Sequence, residues 1–478
     1  MHNYEGIYVS GKWSPSAGAR IAVTSPASGE VLGHVTAATA EEVGAAIAAA
    51  RDALERGPWA TTTAAERAAA IGRLADAIEA QSRDYADVVS AEVGSPRKWA
   101  SFGQIGTALG VLRTFEKITP EYRFEDRRTS VIGGEVLVRQ LPVGVVGAIL
   151  PWNAPLFTAF LKLAPALAAG CTLVLKPSPE APLALSKLTA AVEAAGIPAG
   201  VINIVSGDVQ TGEALVSHPG VDKVSFTGST AAGKRIGAVC AADIRRCGLE
   251  LGGKSAAVVL DDVVLDQKVV SGLVTGVMAN NGQVCAAQTR ILLPRSRYEE
   301  CVDAIAAAVA ALTVGDPADR STDVGPVING AARERIEAHI QRAVQDGARV
   351  VAGGSRPHGL DTGWYVAPTV LADVHNDMAI AREELFGPVC VLIPYEGEDE
   401  AVALANDSDY GLAGAVWSAD AARAARVAAR LRVGSVSVNS PAPLDFGSPF
   451  GGFKQSGVGR EGGPEGIAGY LEPQSIIL

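Results

Sequence analysis

Three residues of chemically useful type lie in short motifs that contain glycine or proline. Cys285 ends Gly-Gln-Val-Cys, between a predicted helix and a predicted strand, where a glycine-rich turn can expose a thiol. Glu250 lies in Leu-Glu-Leu-Gly-Gly-Lys, and a carboxylate inside an apolar strand is costly enough to need a reason. Asn153 follows Pro-Trp, where its amide can donate to an oxyanion. All three are candidates for catalysis.

Each candidate also has an ordinary structural interpretation. A single cysteine is more often a buried, unreactive core residue. The Glu250 carboxylate can form an ion pair with Lys254, four residues later. An asparagine after Pro-Trp can simply form a turn. No single one of these residues decides between structure and catalysis.

Alternating strand-like and helical stretches predict the framework that positions these residues. From Val143 the apolar runs VGVVGAIL, CTLVLK, VINIV and KVSFTG alternate with helical stretches at 156–169, 182–195 and 230–241. Such βαβ units form a parallel sheet covered on both faces, and ligand sites lie beyond the carboxyl ends of its strands. The rhythm restarts after about Gly252, with strand-like AAVVL and RILLP and with helices up to Asn280 and over 297–312 and 328–346. We therefore predict a second α/β domain.

The remaining segments predict smaller elements. Residues 1–35 alternate in short strand-like pieces, and 40–56 and 63–92 are amphipathic and helix-forming. Residues 125–142 contain Gly-Gly and predict a β-hairpin. The closing YLEPQSIIL is extended and apolar, so we expect it to pair with a strand, and the hairpin is its candidate partner.

Composition excludes several classes of function. The 478 residues exceed what one core usually holds, and no apolar stretch reaches the roughly 20 residues of a membrane span. A net charge of −11 without a long basic run argues against a nucleic-acid partner. The start MHNYEGIYVSGKW has no secretory pattern, so a cytoplasmic location is expected. Six cysteines without C-x-x-C spacing and six scattered histidines predict reduced thiols and no metal site.

The loop 228–235 raises an alternative chemistry. It spells Gly-Ser-Thr-Ala-Ala-Gly-Lys-Arg, close to the phosphate-binding G-x-x-x-x-G-K-[ST] pattern, and VVLDD at 258–262 resembles the accompanying acidic motif. A P-loop phosphotransferase needs a hydroxyl after the lysine to hold Mg²⁺, and Arg235 stands there instead. The same loop suits a dinucleotide pyrophosphate, or it merely starts a helix.

Seven motifs follow one another along nearly the whole chain. They are PWN (151–153), LKPS (175–178), FTGSTAAG (226–233), LELGGKS (249–255), GQVC (282–285), EELFGPV (383–389) and SPFGGFKQSG (448–457). Through them the sequence resembles the NAD(P)-dependent aldehyde dehydrogenase superfamily. GQVC and LELGGK are the most specific, because each holds a reactive residue in a context with little generic structural need.

The resemblance implies a role for each catalytic candidate. Cys285 is expected to be the nucleophile, and the Asn153 amide and the Cys285 backbone N–H are expected to hold the oxyanion of its adduct. After hydride transfer, Glu250 is expected to activate the water that hydrolyses the thioester, a task suited to a shielded carboxylate with a raised pKa. Lys162 matches a family position that assists proton relay.

The resemblance also implies NAD as cofactor, with NADP as the alternative. Lys176 is expected to bind the adenosine ribose, Ser229 the pyrophosphate, and Glu384 with Phe386 the nicotinamide half. The whole expected set is Pro151, Trp152, Lys176, Ser178, Pro179, Gly228, Ser229, Gly233, Leu251, Glu384 and Phe386. Many NAD-preferring members carry a glutamate three residues after the lysine, where this chain has Pro179, with Glu180 one step later.

The pocket positions beside PWN and the catalytic cysteine are small or aliphatic: Ala154, Thr158, Leu161, Ala286 and Ala287. They favour an apolar medium-chain, terpenoid or aromatic aldehyde over a phosphorylated or cationic one. Within the superfamily the alternative is an acylating enzyme that passes its thioester to coenzyme A. Glu250 argues against it, because a water-activating base would destroy that thioester. A catalytically silent protein on the same fold is a further alternative, which the three retained candidates disfavour.

The expected architecture is α/β, with a Rossmann-like cofactor domain, a second α/β catalytic domain and a small β oligomerisation arm. The cofactor domain is expected over 1–124 and 143–251, the catalytic domain over 252–454, and the arm over 125–142 and 469–478. The resemblance implies a homodimer or a homotetramer in which the arm bridges subunits.

Overall fold

The computed structural model describes residues 2–442 and 444–478, so Met1 and Pro443 of the expected domain ranges lie outside the described residues. The helices are α1 (Ala40–Glu55), α2 (Ala64–Glu79), α3 (Ser82–Val93), α4 (Arg97–Trp99), α5 (Thr107–Ile118), α6 (Pro155–Ala169), α7 (Leu183–Ala194), α8 (Val209–Ser217), α9 (Thr230–Ala242), α10 (Gln267–Met278), α11 (Tyr298–Ala310), α12 (Gly330–Gln345), α13 (Ala379–Arg382), α14 (Gly397–Asn406), α15 (Ala421–Ala428) and α16 (Gly463–Ala468). The strands are β1 (His2–Tyr4), β2 (Ile7–Val9), β3 (Lys12–Ser14), β4 (Arg20–Thr24), β5 (Val31–Thr36), β6 (Glu125–Thr129), β7 (Glu135–Pro142), β8 (Val145–Ile149), β9 (Thr172–Lys176), β10 (Ile202–Ile204), β11 (Lys223–Thr227), β12 (Arg246–Glu250), β13 (Ala256–Val259), β14 (Arg290–Pro294), β15 (Arg349–Ala352), β16 (Thr369–Ala372), β17 (Val389–Tyr395), β18 (Ala413–Trp417), β19 (Ser435–Val438), β20 (Gly457–Val458) and β21 (Leu471–Ile477).

Side-chain caps set the starts of the first long helices. Thr39 and Thr63 each accept a bond from the backbone N–H three residues on, and Glu42 and Glu66 bond back to the cap, so both helices begin at a capping box. The helix-forming stretch predicted over 63–92 is two helices, α2 and α3, separated by two residues. Between α4 and α5 the residues Ala100–Gly106 form a π-helical segment, a wider turn that often occurs at functional sites.

An eight-stranded sheet organises the first half of the chain. Its strand order is β20-β12-β11-β8-β9-β10-β2-β3. The central strands from β12 to β10 are mutually parallel, whereas β20, β2 and β3 add antiparallel at the edges. Two apolar cores cover its two faces, one built with α2, α3, α5, α6 and α7 and the other with α1, α8 and α9. This arrangement confirms the predicted parallel α/β sheet.

A seven-stranded sheet organises the later part of the chain, in the order β15-β16-β17-β14-β13-β18-β19. Its strands are parallel except for the pair β15 and β16. The helices α12, α13, α14 and α15 cover one face, and α10 and α11 cover the other. The mixed α/β fold class is therefore confirmed in both halves.

A third, antiparallel sheet joins the hairpin to the C-terminal strand in the order β21-β7-β6. Strand β21 pairs with β7 from Leu471 opposite Pro142 to Ile477 opposite Val136. The predicted partner of the apolar tail is thus the hairpin. At the hairpin tip Val131 and Ile132 are almost fully exposed.

Strand β20 lies in a segment for which no domain was predicted, and it pairs with β12 at the edge of the eight-stranded sheet.

Among the helices of residues 2–442 and 444–478, none combines the length and the apolar character that crossing a membrane requires.

Candidate active site

The strand register places four of the expected motifs along one edge of the eight-stranded sheet. Ile149 lies opposite both Lys176 and Phe226, and Thr227 lies opposite Glu250. PWN, the lysine motif, the glycine loop and LELGGK therefore all leave the sheet at the carboxyl ends of adjacent parallel strands. This is the edge at which such sheets bind ligands.

The Cys285 loop approaches this edge from the other sheet through glycine contacts. A Cβ atom at Gly253 would lie 2.6 Å from the Cys285 carbonyl oxygen, and one at Gly282 would lie 2.1 Å from the Gly387 carbonyl oxygen. A Cβ atom at Gly252 would lie 2.2 Å from a Glu384 carboxylate oxygen. Only glycine permits such close approach, so GQVC meets both LELGGK and EELFGPV backbone to backbone, and LELGGK also contacts the Glu384 side chain.

Two buried asparagines fix the turn that precedes Cys285. Asn280 and Asn281 adopt left-handed backbone angles with φ of 51° and 61°, which asparagine tolerates better than most residues. The Asn281 amide donates to the carbonyls of Gly94 and Pro326, each at 2.8 Å, and its oxygen accepts from Gly325 N–H at 2.6 Å. The loop is therefore tied to two other segments of the chain.

Asn153 is buried and held beside the cysteine loop. Its side-chain amide donates to the Gln283 carbonyl at 2.9 Å, two residues before Cys285. Its own carbonyl accepts from the side chains of Gln104 at 2.7 Å and Asn280 at 2.9 Å. One amide hydrogen is thus occupied, and the second remains for a ligand.

Glu250 ends β12 in a buried position. One of its carboxylate oxygens, Oε2, is buried without a hydrogen-bond partner. Burial raises the pKa of Glu250 well above its ordinary value, and the negative charge of Glu461 raises it further, while Lys162 and Arg460 act in the opposite direction. An unpartnered carboxylate of raised pKa can act as a general base near neutral pH.

The alternative ion pair between Glu250 and Lys254 does not occur among the salt bridges of the described residues. Lys254 is buried near Arg290 and Glu384, and burial with the charge of Arg290 lowers its pKa to about 7. Glu384 accepts a bond from Gly253 N–H at 3.1 Å and has its own pKa raised to about 7, chiefly by burial. Glu250 is therefore not among the groups whose charges act on Lys254.

Lys162 lies on the fully buried face of α6 and forms an ion pair with Glu461 at 2.5 Å. Glu461 is also buried, and its charge acts on the pKa of Glu250. The sequence analysis predicted Lys162 but missed Glu461. An acidic residue among glycines at the end of the chain gives no signal of its own, because its partners are far away in sequence.

Cys285 is partly exposed at the meeting point of these groups. Burial of its sulfur raises the thiol pKa to about 12, and the charges of Glu384 and Glu250 act in the same direction. The backbone N–H groups of Ala286 and Cys285 bond toward the sulfur and lower the pKa. At neutral pH the group is therefore a thiol, which needs a base to become a nucleophile.

The loop after β11 offers donors for phosphate. Ser229 is exposed and caps α9 by accepting the Ala232 N–H, which leaves the first backbone N–H groups of the helix free for a ligand. The hydroxyl of Thr227, at the start of this loop, is buried without a partner. Arg235, at the position where a P-loop needs a hydroxyl, instead forms an ion pair with Glu213 at 2.6 Å. The donor set suits a pyrophosphate without supplying a magnesium ligand.

The remaining cofactor candidates are grouped at the same edge. Lys176 ends β9 in a buried position, and burial lowers its pKa to about 8 although the charges of Glu180 and Asp208 raise it. The Ser178 hydroxyl donates to Glu180, next to the partly exposed Pro179. Trp152 and Phe386 meet edge to face with ring centroids 5.3 Å apart. Pro151 directly precedes this tryptophan, and Leu251 packs on Gly233 in the glycine loop.

The chain matches the model of the aldehyde dehydrogenase family over residues 13–476. The chain belongs to the aldehyde dehydrogenase family. This confirms the resemblance found in the sequence and the predicted class of activity, an oxidoreductase acting on aldehydes.

Individual relatives are similar over the whole chain. A geranial dehydrogenase from Castellaniella defragrans is 46% identical over 100% of this chain and 99% of its own length. A 3-succinoylsemialdehyde-pyridine dehydrogenase from a Pseudomonas species is 41% identical over 100% of this chain and 99% of its own length.

Solved structures of aldehyde dehydrogenases share this fold. The Mycobacterium tuberculosis enzyme complexed with NAD⁺ has a TM-score of 0.98 and 43% identity, with 100% of this chain and 99% of that chain covered. A mutant of aldehyde dehydrogenase C from Pseudomonas syringae, in complex with NAD⁺ and octanal, has a TM-score of 0.95 and 39% identity, with coverage of 99% and 96%. Both are NAD⁺ complexes, in agreement with the cofactor predicted for this chain.

Proposed function

We propose that this aldehyde dehydrogenase oxidises an apolar aldehyde to the carboxylic acid with NAD, through a covalent adduct on Cys285. The observation that carries the proposal is the meeting of Cys285, Asn153 and Glu250 at the carboxyl edge of the parallel sheet. A nucleophile, an oxyanion donor and a base are the groups that acyl chemistry on a carbonyl requires.

In the proposed reaction each of these residues acts at a defined step. Glu250 accepts the thiol proton, and the Cys285 sulfur attacks the carbonyl carbon to give a thiohemiacetal. The free amide hydrogen of Asn153 and the Cys285 backbone N–H donate to its oxyanion. NAD, when bound, accepts the hydride from the substrate carbon, which leaves a thioester on the sulfur. Glu250 then deprotonates the water that hydrolyses this thioester.

The ion pair of Lys162 and Glu461 gives the proton on Glu250 a route away from the site. Its buried position next to the unpartnered carboxylate oxygen of Glu250 supports a relay role for both residues.

Glu250 also argues against transfer of the thioester to coenzyme A, because water activated at Glu250 would compete with that transfer.

The substrate pocket is apolar. Leu161 and Ala287 are almost fully buried, and the Thr158 hydroxyl is satisfied by the Ala154 carbonyl at 2.8 Å. Nearby, the rings of Phe157 and Phe446 lie 6.4 Å apart. This lining supports a medium-chain, terpenoid or aromatic aldehyde. The similarity to the geranial and pyridine semialdehyde dehydrogenases, and to the octanal complex, points to the same class.

The carboxylate of Glu180 supports NAD over NADP. Its charge acts on Lys176, so it lies close to the lysine expected to bind the adenosine ribose, although Pro179 takes the usual position of the acid. A carboxylate there repels a 2′-phosphate.

We also propose that the chain divides into the expected cofactor and catalytic domains and forms a homodimer or homotetramer bridged by the β21-β7-β6 sheet. The exposed Val131 and Ile132 at the hairpin tip support an intersubunit role for that sheet.

The test is the absorbance of reduced cofactor with NAD or NADP across a panel of aldehydes. We expect NAD reduction with geranial, octanal or an aromatic aldehyde, and loss of turnover in Cys285→Ala. Cys301→Ala, which alters a buried thiol away from the site, is the matched control and should retain turnover. Preference for glyceraldehyde 3-phosphate or betaine aldehyde would refute the substrate class, and full turnover of Cys285→Ala would refute the nucleophile.

A further inference from the structure

Helix α9 and strand β12 pack against each other in a regular ladder. A Cβ atom at Gly233 would lie 2.4 Å from the Leu251 side chain, and one at Gly237 would lie 3.5 Å from the Leu249 side chain. One helical turn forward on α9 thus corresponds to two residues back on β12, as the periods of a helix and a strand require. The next step of the ladder brings Cys240 to Cys247.

The two thiols meet at that step. The Cys240 and Cys247 side chains are neighbours, and both residues pack in the apolar core on this face of the sheet. Cys240 is fully buried, whereas Cys247 is partly exposed. Interaction with the Cys240 thiol lowers the pKa of the Cys247 thiol, and the charge of Lys223 acts in the same direction, against the effect of burial.

The pair differs from the other cysteines that lie outside the active site. Cys171, Cys301 and Cys390 are buried, and burial raises the pKa of each thiol. A partly exposed thiol of lowered pKa beside a buried thiol is the arrangement of an oxidisable pair with a resolving cysteine.

We propose that Cys240 and Cys247 form a reversible disulfide when the enzyme meets hydrogen peroxide. The Cys247 thiolate attacks one peroxide oxygen, which breaks the O–O bond and gives a sulfenic acid and hydroxide; the hydroxide takes up the proton that Cys247 released and becomes water. The Cys240 sulfur then attacks the Cys247 sulfur, and the sulfenic oxygen leaves with the Cys240 proton as water. Two thiols and one peroxide thus give one disulfide and two waters, and a dithiol reductant reverses the change.

Closure of the disulfide acts on the cofactor loop, a consequence that rests on the function proposed above. A disulfide needs its sulfurs about 2.0 Å apart, closer than two thiols in van der Waals contact. We expect its closure to draw the last turn of α9 toward β12. Ser229 caps the other end of the same helix, so the displacement reaches the proposed phosphate donors. We expect the oxidised enzyme to bind NAD several-fold more weakly than the reduced enzyme.

Peptide mapping tests the disulfide directly, without an activity measurement. Trypsin separates Cys240 in 236–245 from Cys247 in 247–254, and it places Cys285 in a third peptide, 269–290. After peroxide treatment of the native enzyme, we expect the first two peptides to be linked, and dithiothreitol to release them. If the first two peptides remain unlinked while Cys285 is oxidised, the proposal is wrong.

The effect on NAD is measured by titration calorimetry in the Cys285→Ala background, where oxidation of the nucleophile cannot contribute. We expect peroxide to weaken NAD binding several-fold and dithiothreitol to restore it. The matched control, Cys285→Ala with Cys247→Ser, should bind NAD equally before and after peroxide. A linked peptide without any change in NAD affinity would retain the disulfide and overturn its coupling to the cofactor loop. If Cys285 proved not to be the nucleophile, the proposed function would fail, but peroxide would still link the two peptides.

Discussion

Two buried carboxylates, Glu92 and Glu250, lie on elements around the same eight-stranded sheet and differ in what surrounds them. Glu92 accepts backbone N–H bonds from Leu183 at 2.7 Å and Ala184 at 3.0 Å, so both of its oxygens are used at the start of α7. Glu250 has an oxygen without a partner. Burial raises the pKa of both groups, to about 8 for Glu92.

The difference shows that burial and a raised pKa do not identify a catalytic base by themselves. Glu92 satisfies the free N–H groups at a helix start, which is a structural task. Glu250 instead faces a charged neighbourhood, in which Glu461 raises its pKa and Lys162 lowers it. An unpartnered oxygen beside a buried ion pair is the feature that separates the proposed base from a helix cap.

The largest expected effect is on turnover in Glu250→Gln. The amide keeps the shape of the carboxyl but cannot accept a proton, so sustained turnover should fall about 10²–10⁴-fold. Because Glu250 also accepts the thiol proton in the proposed mechanism, rapid mixing should show that the initial reduction of NAD is slowed as well. Glu92→Gln, measured in the same way, is the matched control and should keep wild-type turnover. A Glu250→Gln enzyme with normal steady-state turnover would remove the distinction between the two carboxylates.

A smaller effect is expected in Glu461→Gln. Removing the charge of Glu461 removes a cause that raises the pKa of Glu250, so the carboxylate persists to lower pH. The acidic limb of the profile of kcat against pH should therefore move to lower pH. Lys162→Met removes the opposite charge and should move that limb to higher pH. Shifts in the same direction for both variants would show that the ion pair does not act on Glu250 electrostatically.

The sequence predicted those features that depend on local pattern or on a specific motif. The apolar periodicity located the strands that end at Ile149, Lys176 and Glu250, and the parallel βαβ pattern predicted that their carboxyl ends lie at one edge. The contacts of Glu92 and Glu461 could not be predicted from the sequence, because their partners lie 91 and 299 residues away and no local pattern encodes them. Glu92 lies in an amphipathic helix whose pattern predicts only that one face is buried.

The contacts that hold Asn153 were equally hidden. Gln104 lies in the π-helical segment, and its contact with the Asn153 carbonyl joins residues 49 apart in sequence. A π-helical segment has no simple periodicity that a sequence reveals. Likewise, the left-handed angles of Asn280 and Asn281 depend on contacts with distant loops rather than on the residue types alone.

The smallest effect on turnover, and the one that completes the comparison, is expected from Glu92. Its pKa in the folded state, about 8, lies above the ordinary value of 4.5, so the folded protein holds a proton that the unfolded chain has lost. The stability contributed by this proton is complete below pH 4.5 and is lost as the pH rises through 8. Glu92→Gln lacks this loss, since an amide does not titrate. Its cost of about 1 kcal/mol at pH 5, from one poorly matched backbone bond, should therefore shrink or reverse by pH 9. Urea unfolding of both proteins across this range measures the difference, in which the other carboxylates cancel. Two curves that stay parallel would show that Glu92 is ionised throughout, and a fall in kcat would give it a role in the reaction that its helix-capping bonds do not explain.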